Sequence, residues 1–407
     1  MATTSTPAVA DSIESVSGDA RSLIDSWHSA VSETAGIWPG YDLAAIPAVL
    51  VSVDAEGNVA AVAAFNHPDP QELGGPLRGL EIDGHRVAVV DEVADPDRLV
   101  AMAPFDFFAD IGGTETFVLV GRSGEPGMEP GTPEFVALLA HEAFHRHQFD
   151  AWVPGDLLQD VDGYDFSAEN LELVLLEDRI LIAAYEAGTL ADTERLARQF
   201  AAVRSARHDR DGRVTLDESQ ERTEGSARYI EHSIGDAIGN IYNSTNHTGE
   251  LVHYDDSVEN PAALGGGIKS FFGFGRFYSS GATLLALLDR LQPSGIDVAE
   301  RLLAGDTPAQ LLAQHVGSLG DIDAVVAAAR AEHDPDSRFG PAAALLSELA
   351  AGEETAGFGG ADLPGETVSG SFEVSEDQIA CLEEHGLDLS ADNITIPDDI
   401  ASACLQS

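Results

Sequence analysis

Residues Thr132 to Phe149 read TPEFVALLAHEAFHRHQF. The stretch predicts a helix: Thr132 is a capping residue, Pro133 suits the first helical position, and Phe135 to Ala140 is an apolar run rich in good helix formers. Within it His141 and His145 stand four apart. They share one face a turn apart, so both imidazoles can reach one metal ion while Glu142 lies beside them. That carboxylate is then placed to take a proton from a water whose pKa a metal has lowered. On so apolar a helix the two imidazoles would be buried, and a metal satisfies two neutral rings at once. The chemistry expected is hydrolysis.

A hydrolytic zinc keeps three protein ligands and one open position, so a third donor must come from elsewhere. Glu224 is the best candidate, in Glu221-Arg222-Thr223-Glu224-Gly225-Ser226-Ala227-Arg228-Tyr229-Ile230-Glu231, which has helical spacing and follows the Asp211-Gly212 turn signal and the acidic pair Asp217-Glu218. Gly225 and Ala227 are small and are expected to let this helix press close against the His141 helix. Asp165, Glu169, Glu172 and Glu177 are rival donors without that small-residue context.

Glu-Gly-x-Ala-x-Tyr at residues 224–229 resembles the third-ligand motif of the gluzincin metallopeptidases related to aminopeptidase N. A second likeness lies downstream in Phe277-Tyr278-Ser279-Ser280-Gly281-Ala282-Thr283 and the leucine-rich helix after it, which is similar to the Tyr-x-x-Gly-Ala segment of those enzymes. The resemblance spans roughly residues 132 to 292, and uncharacterised bacterial HExxH proteins look similar over the same stretch. It implies one Zn2+ held by His141, His145 and Glu224, with Glu142 as general base and Tyr278 as donor to the tetrahedral intermediate. It also implies a peptide or small protein as substrate, bound by strand addition to a sheet edge, for which Glu115 to Gly121 is the candidate. The chain departs from the family in spacing: Glu224 comes 79 positions after His145 (224 − 145). An insertion is required, and Glu169 to Gly188 and Leu190 to His208 supply it as two amphipathic helices forming a hairpin. The aminopeptidase signature Gly-x-Met-Glu-Asn has only a faint counterpart in Gly127-Met128-Glu129-Pro130.

The fold class expected is α+β, an N-terminal β-rich region packed on a mostly helical gluzincin-like catalytic domain. Its parts would be a polar tail over 1–20, an α+β region over 21–130, a helical zinc-metallopeptidase-like domain over 131–350 with its insertion at 165–210, and an appendage over 351–407. Ser22 to Ser32 predicts a short helix, Ile46 to Val53 with Val59 to Phe65 a hairpin, and Leu77 to Ile82 with Arg86 to Val90 a second hairpin around Asp83-Gly84. Phe117 to Val120 is a further strand. Asn240 to Arg276, with Gly265-Gly266-Gly267 and Phe271-Phe272-Gly273-Phe274-Gly275, reads as a mobile apolar cleft wall or lid. Helical segments follow near Ile296 to Leu303, Thr307 to His315 and Ile322 to Ala331.

The charge is extreme: 70 acidic residues against 21 basic give −49, and the only lysine is Lys269. A carboxylate-coated surface suits high salt, so a halophilic setting is expected, and it argues against nucleic acid or an anionic membrane as partner. No signal-peptide pattern or membrane-length apolar run is present, and a cytoplasmic protein is the expectation. Cys381 and Cys404, the two cysteines, form no CxxC or disulfide-rich pattern, and whether they pair with each other is left open. The sequons at Asn243 and Asn246 read as accidents of a polar loop. His147 points to another face than His145 and reads as a surface residue, while His232, His247 and His253 cluster after the Glu224 helix. Two alternatives stay open: a non-catalytic zinc-binding or scaffold protein, signalled by a fourth protein ligand such as His147 or an acid of the insertion, and a zinc hydrolase of a non-peptide amide or ester. Oligomeric state is left open.

Overall fold

The run Ala48–Val53 (AVLVSV) is buried at every position, and a strand covered on both faces belongs inside a sheet. The computed structural model places it there as β1, followed by β2 (Val59–Phe65), β3 (Leu77–Ile82), β4 (His85–Val90), β5 (Phe105–Ile111) and β6 (Thr114–Arg122). The structure describes residues 16–353 apart from 75, 83–84, 91–92, 94–95, 97–98, 100–104, 155–162, 212, 240–246, 250 and 252–266. The strand order is β3-β4-β2-β1-β6-β5. β1 and β6 run parallel, and the other neighbours are antiparallel. The turn after β1 is tied by Asp54, whose Oδ1 accepts from the Asn58 amide at 2.7 Å. In the second hairpin Ile82 pairs with His85, and Asp83-Gly84 lies outside the described residues.

Alternation assigns the two faces. Leu50, Ala63, Phe65, Phe117 and Leu119 join the main core under the helices. Val49, Val51, Val62, Val118 and Val120 form a second, smaller core on the opposite side. Helix α1 (Gly18–Thr34), longer than its sequence prediction, lies on the main-core face and stacks Trp27 on Phe65 at 4.5 Å.

The helical layer begins with α2 (Pro133–Ala151), capped by Thr132 accepting from the Phe135 amide at 3.3 Å. The insertion is a pair of helices, α3 (Ala168–Glu186) and α4 (Leu190–Arg210), with Ser167 and Thr189 as caps. Next come α5 (Val214–Ile238), α6 (Arg276–Leu291), α7 (Val298–Leu303), α8 (Pro308–Val316), α9 (Ile322–His333) and α10 (Phe339–Gly352). The fold is mixed α and β: a six-stranded sheet and a larger helical layer.

Two expectations are corrected. Glu115 to Gly121 belongs to β6, which is paired on both sides, so it is an interior strand; the sheet edge beside α2 is β5, which had no clear signal. Phe271 to Gly275 is a π-helical lead-in to α6 and buries Phe271 and Phe272, so this part of the expected loop is wall rather than lid.

A buried ionic network fastens the inserted hairpin to the rest. Arg204 bonds Glu177 on α3 at 2.8 Å and Glu221 on α5 at 2.8 Å. Arg207 bonds Glu177 at 2.8 Å and Asp217 at 2.5 Å. Arg276 bonds Asp178 at 2.6 Å, and Ser280 donates to Glu221 at 2.8 Å. Four helices are thus joined by charges that only their mutual pairing makes tolerable in a dry interior.

Among the described residues no helix is long and apolar enough to cross a membrane. The described residues fall within one unit; residues 354–407, with Cys381 and Cys404, and His253, Gly265, Gly266, Asn243 and Asn246 lie outside the described residues.

Candidate metal centre

Helices α2 and α5 pack side by side and bring His141, His145 and Glu224 together, with one ligand atom from each lying within 4.8 Å of the others. His141 Nε2 and His145 Nε2 are 3.1 Å apart. Glu224 Oε2 is 3.2 Å from His145 Nε2 and 3.8 Å from His141 Nε2. Donors on a tetrahedral ion with bonds near 2.0–2.1 Å stand roughly 3.3–3.4 Å apart, so the triangle has the right size for zinc.

The outer nitrogens fix the tautomers of the two histidines. His141 Nδ1 faces Glu231 Oε2 at 3.1 Å. His145 Nδ1 faces Gln148 Oε1 at 2.7 Å, and the orientation of that amide is set by its Nε2, which donates to the Thr223 carbonyl at 2.9 Å and to Ser226 Oγ at 2.7 Å. Each Nδ1 therefore carries the proton and each Nε2 presents a lone pair to the other and to the Glu224 carboxylate. Three acceptors converging on one point in a buried setting repel unless positive charge sits among them.

The surrounding carboxylates draw positive charge onto the histidines. Burial opposes charge on His141, but hydrogen bonds to Glu224 and Glu231 outweigh it and carry its pKa up to about 9. His145 is raised against its burial by Glu224. Glu224 and Glu231 are held far below the usual carboxylate range despite burial, Glu224 chiefly by His145 and Glu231 chiefly by Arg228.

Glu142 is buried beside the pair, and desolvation raises its carboxyl, partly offset by the two histidines. Tyr278 stacks on the His141 ring with centroids 5.6 Å apart. Burial raises its phenol well above normal, as do the charge of Glu224 and the hydrogen bond with it, so the hydroxyl stays a donor. Arg228 bonds Glu231 at 2.9 Å and lies over the Tyr278 ring at 5.1 Å.

All five predicted residues are thus brought to one place, but Gly225 acts differently from expectation. A Cβ at Gly225 would meet Gly281 Cα at 2.4 Å, and one at Gly281 would meet the Glu221 carbonyl oxygen at 2.3 Å. The small residues bring α5 against the Tyr278 helix, α6, and set Glu224 and Tyr278 side by side.

The rival donors lie elsewhere. Glu177 is in the ionic network, Glu172 bonds Arg330 at 2.8 Å, and Asp165 Oδ1 accepts from the Ser167 amide at 3.0 Å. His147 packs between Tyr41 and Phe144, away from the triangle. His232 and His247 do meet, Nδ1 to Nδ1 at 3.1 Å. Glu231 and Gln148 were missed, although both carry a positional signal: each stands seven residues after a ligand, two turns along the same face.

No family model, curated protein or solved structure matches the chain.

Proposed function

We propose that this protein is a zinc-dependent hydrolase of gluzincin type that cleaves peptide bonds. The observation that carries the reading is the triangle of two Nε2 atoms and one carboxylate oxygen, with the outer side of each imidazole already committed to Glu231 or Gln148. Among the described residues no fourth protein donor joins it, which supports a site with an open position rather than a closed structural one.

Zinc held there would supply a Lewis acid for the attacking water and the scissile carbonyl. Glu142, desolvated and so more basic than a surface carboxylate, takes the proton of the attacking water and returns it to the leaving amine. Tyr278, kept protonated by its surroundings, donates to the oxygen that becomes negative. The outer edge of β5, which no other described strand pairs, accepts the substrate backbone as an added strand. The net charge of −49 fits a protein that works in high salt.

The test is zinc content and turnover together. Wild type should hold one zinc per chain and cleave members of a quenched-fluorescence peptide library. Glu224→Ala should lose or weaken the zinc, and Glu142→Gln should keep it while losing activity by roughly 100-fold or more. Full activity in Glu142→Gln refutes the mechanism, equal zinc in wild type and Glu224→Ala refutes the site, and zinc with cleavage of amide or ester probes but of no peptide moves the substrate class.

A further inference from the structure

Strand β5 is not regular. Asp106 pairs with Val118 and Ala109 with Thr116, so Phe107 and Phe108 together stand opposite the single residue Phe117. This is a bulge, which puts two consecutive side chains on a side where a regular strand would put one. Asp106 holds it by accepting from the Phe108 amide at 3.0 Å, and Arg146 of α2 donates to the Phe107 carbonyl at 2.8 Å.

Both rings consequently face α2. Phe107 lies 5.8 Å from the His145 ring and 5.2 Å from Phe149. Phe108 sits under the Arg146 guanidinium at 4.4 Å and 5.8 Å from Phe149. Phe149 is one turn beyond His145 and stacks toward it at 6.3 Å. Phe149, beside His145, is 47% exposed, and Phe108 next to it is 45% exposed. Large exposed aromatic rings grouped beside a reactive centre mark a binding surface.

We propose that Phe108 and Phe149, aligned by the bulge in the open edge strand, form a subsite that takes a large apolar side chain, aromatic above all, from an extended peptide lying along β5. The inference rests on the hydrolase reading and names its substrate class. The occupant is a peptide because the surface is continuous with the metal triangle and with a strand edge that no other strand pairs among the described residues, and a bound strand places alternate side chains on the face where the rings lie. Charge narrows it further. Arg146 is already engaged by Asp150 at 3.0 Å and Glu115 at 3.4 Å, and Asp106 adds another carboxylate, so residues flanking the apolar one are neutral or basic rather than acidic.

The experiment uses zinc-loaded Glu142→Gln protein, which binds without cutting, and capped Ser/Thr peptides carrying one central Phe or one central Ala, with affinities from titration calorimetry. The Phe peptide should bind tighter by on the order of 10-fold. That ratio should fall towards one in the Phe108→Ala/Phe149→Ala double variant and stay unchanged in Leu190→Ala, which truncates an exposed apolar side chain on α4. Phe108→Ala alone, at an exposed ring, should lower the ratio in the same direction and serves if the double variant does not fold. Asp on both sides of the Phe should weaken binding. Equal affinity for the two peptides, binding of neither, or a ratio that survives the double variant overturns the subsite. Phe-dependent binding by a wild-type protein that cleaves no peptide would instead overturn the hydrolase reading and leave the subsite standing.

Discussion

Replacing Gly281 by Ala tests the claim that the glycine crossing of α5 and α6 positions the site. A Cβ there would lie 2.3 Å from the Glu221 carbonyl oxygen and 2.7 Å from Gly225 Cα. Both are backbone atoms and neither can swing aside. Ordinary contact begins near 3.5 Å, so the two helices must part by about 1 Å. Forcing extra volume into a packed core costs about 1–3 kcal/mol. With an unfolding entropy of about 2.1 cal/mol/K per residue over roughly 340 residues, a loss of 2 kcal/mol lowers the melting temperature by about 3 °C. The second effect is larger in consequence: Glu224 is next to Gly225, and a ligand displaced by about 1 Å is well outside the tolerance of roughly 0.2 Å for a metal bond. Scanning calorimetry and zinc affinity by chelator competition would read both. The control is Gly340→Ala on α10, where a Cβ would meet only Glu172 Oε2 at 3.9 Å and Ala should be neutral or slightly stabilising. If Gly281→Ala melts with the wild type and binds zinc as tightly, the crossing does not set the site.

Glu231→Ala should weaken zinc binding by about 10–100-fold through loss of the partner that orients His141; unchanged affinity in the same competition assay would remove Glu231 from the site. Tyr278→Phe should keep zinc and lower kcat by on the order of 100-fold with little change in KM, and a kcat equal to wild type would deny it the donor role. The buried pair His232 and His247 has pKa values lowered to about 3 and about 4, by burial first in both. Each is neutral when folded but takes a proton below about 6.5 when unfolded, so their contribution is complete above that pH and is lost as pH falls through the folded values. A melting temperature that declines from pH 6.5 towards 4, and declines less in His247→Gln, is expected; identical pH profiles would show that the pair does not titrate in this way.

Much of the site was legible because its signals are local. His141, Glu142 and His145 are one turn of helix, and Glu224 and Tyr278 each stand in a short pattern with small residues beside them. The inserted hairpin was legible from apolar spacing alone, within a few residues at each end. What escaped depends on pairing across the chain. Phe105–Ile111 carries two aspartates and a bulge, which breaks the alternation that marks a strand, so the edge was assigned to its neighbour β6, whose Phe117 to Val120 is the more β-like run. The partner of Gly225 was misassigned for a related reason: a small residue shows that something comes close, but not which helix it is. Glu231 was hidden in an acidic chain where one more carboxylate looks like surface.

The distance along the chain between His145 and Glu224 sets the order in which the site can assemble. Two ligands are present as soon as α2 is helical, but the third arrives only when the inserted hairpin has folded and α5 has docked beyond it. Zinc bound as proposed would then meet a two-point grip early and a three-point grip late, after the slow closure of a long loop. An ion captured this way would add little to the rate of folding and act mainly on the rate of unfolding, since its full grip would be absent from the barrier. The metal would serve as a late lock on the native state, and its removal would show first as a shorter lifetime of the folded protein.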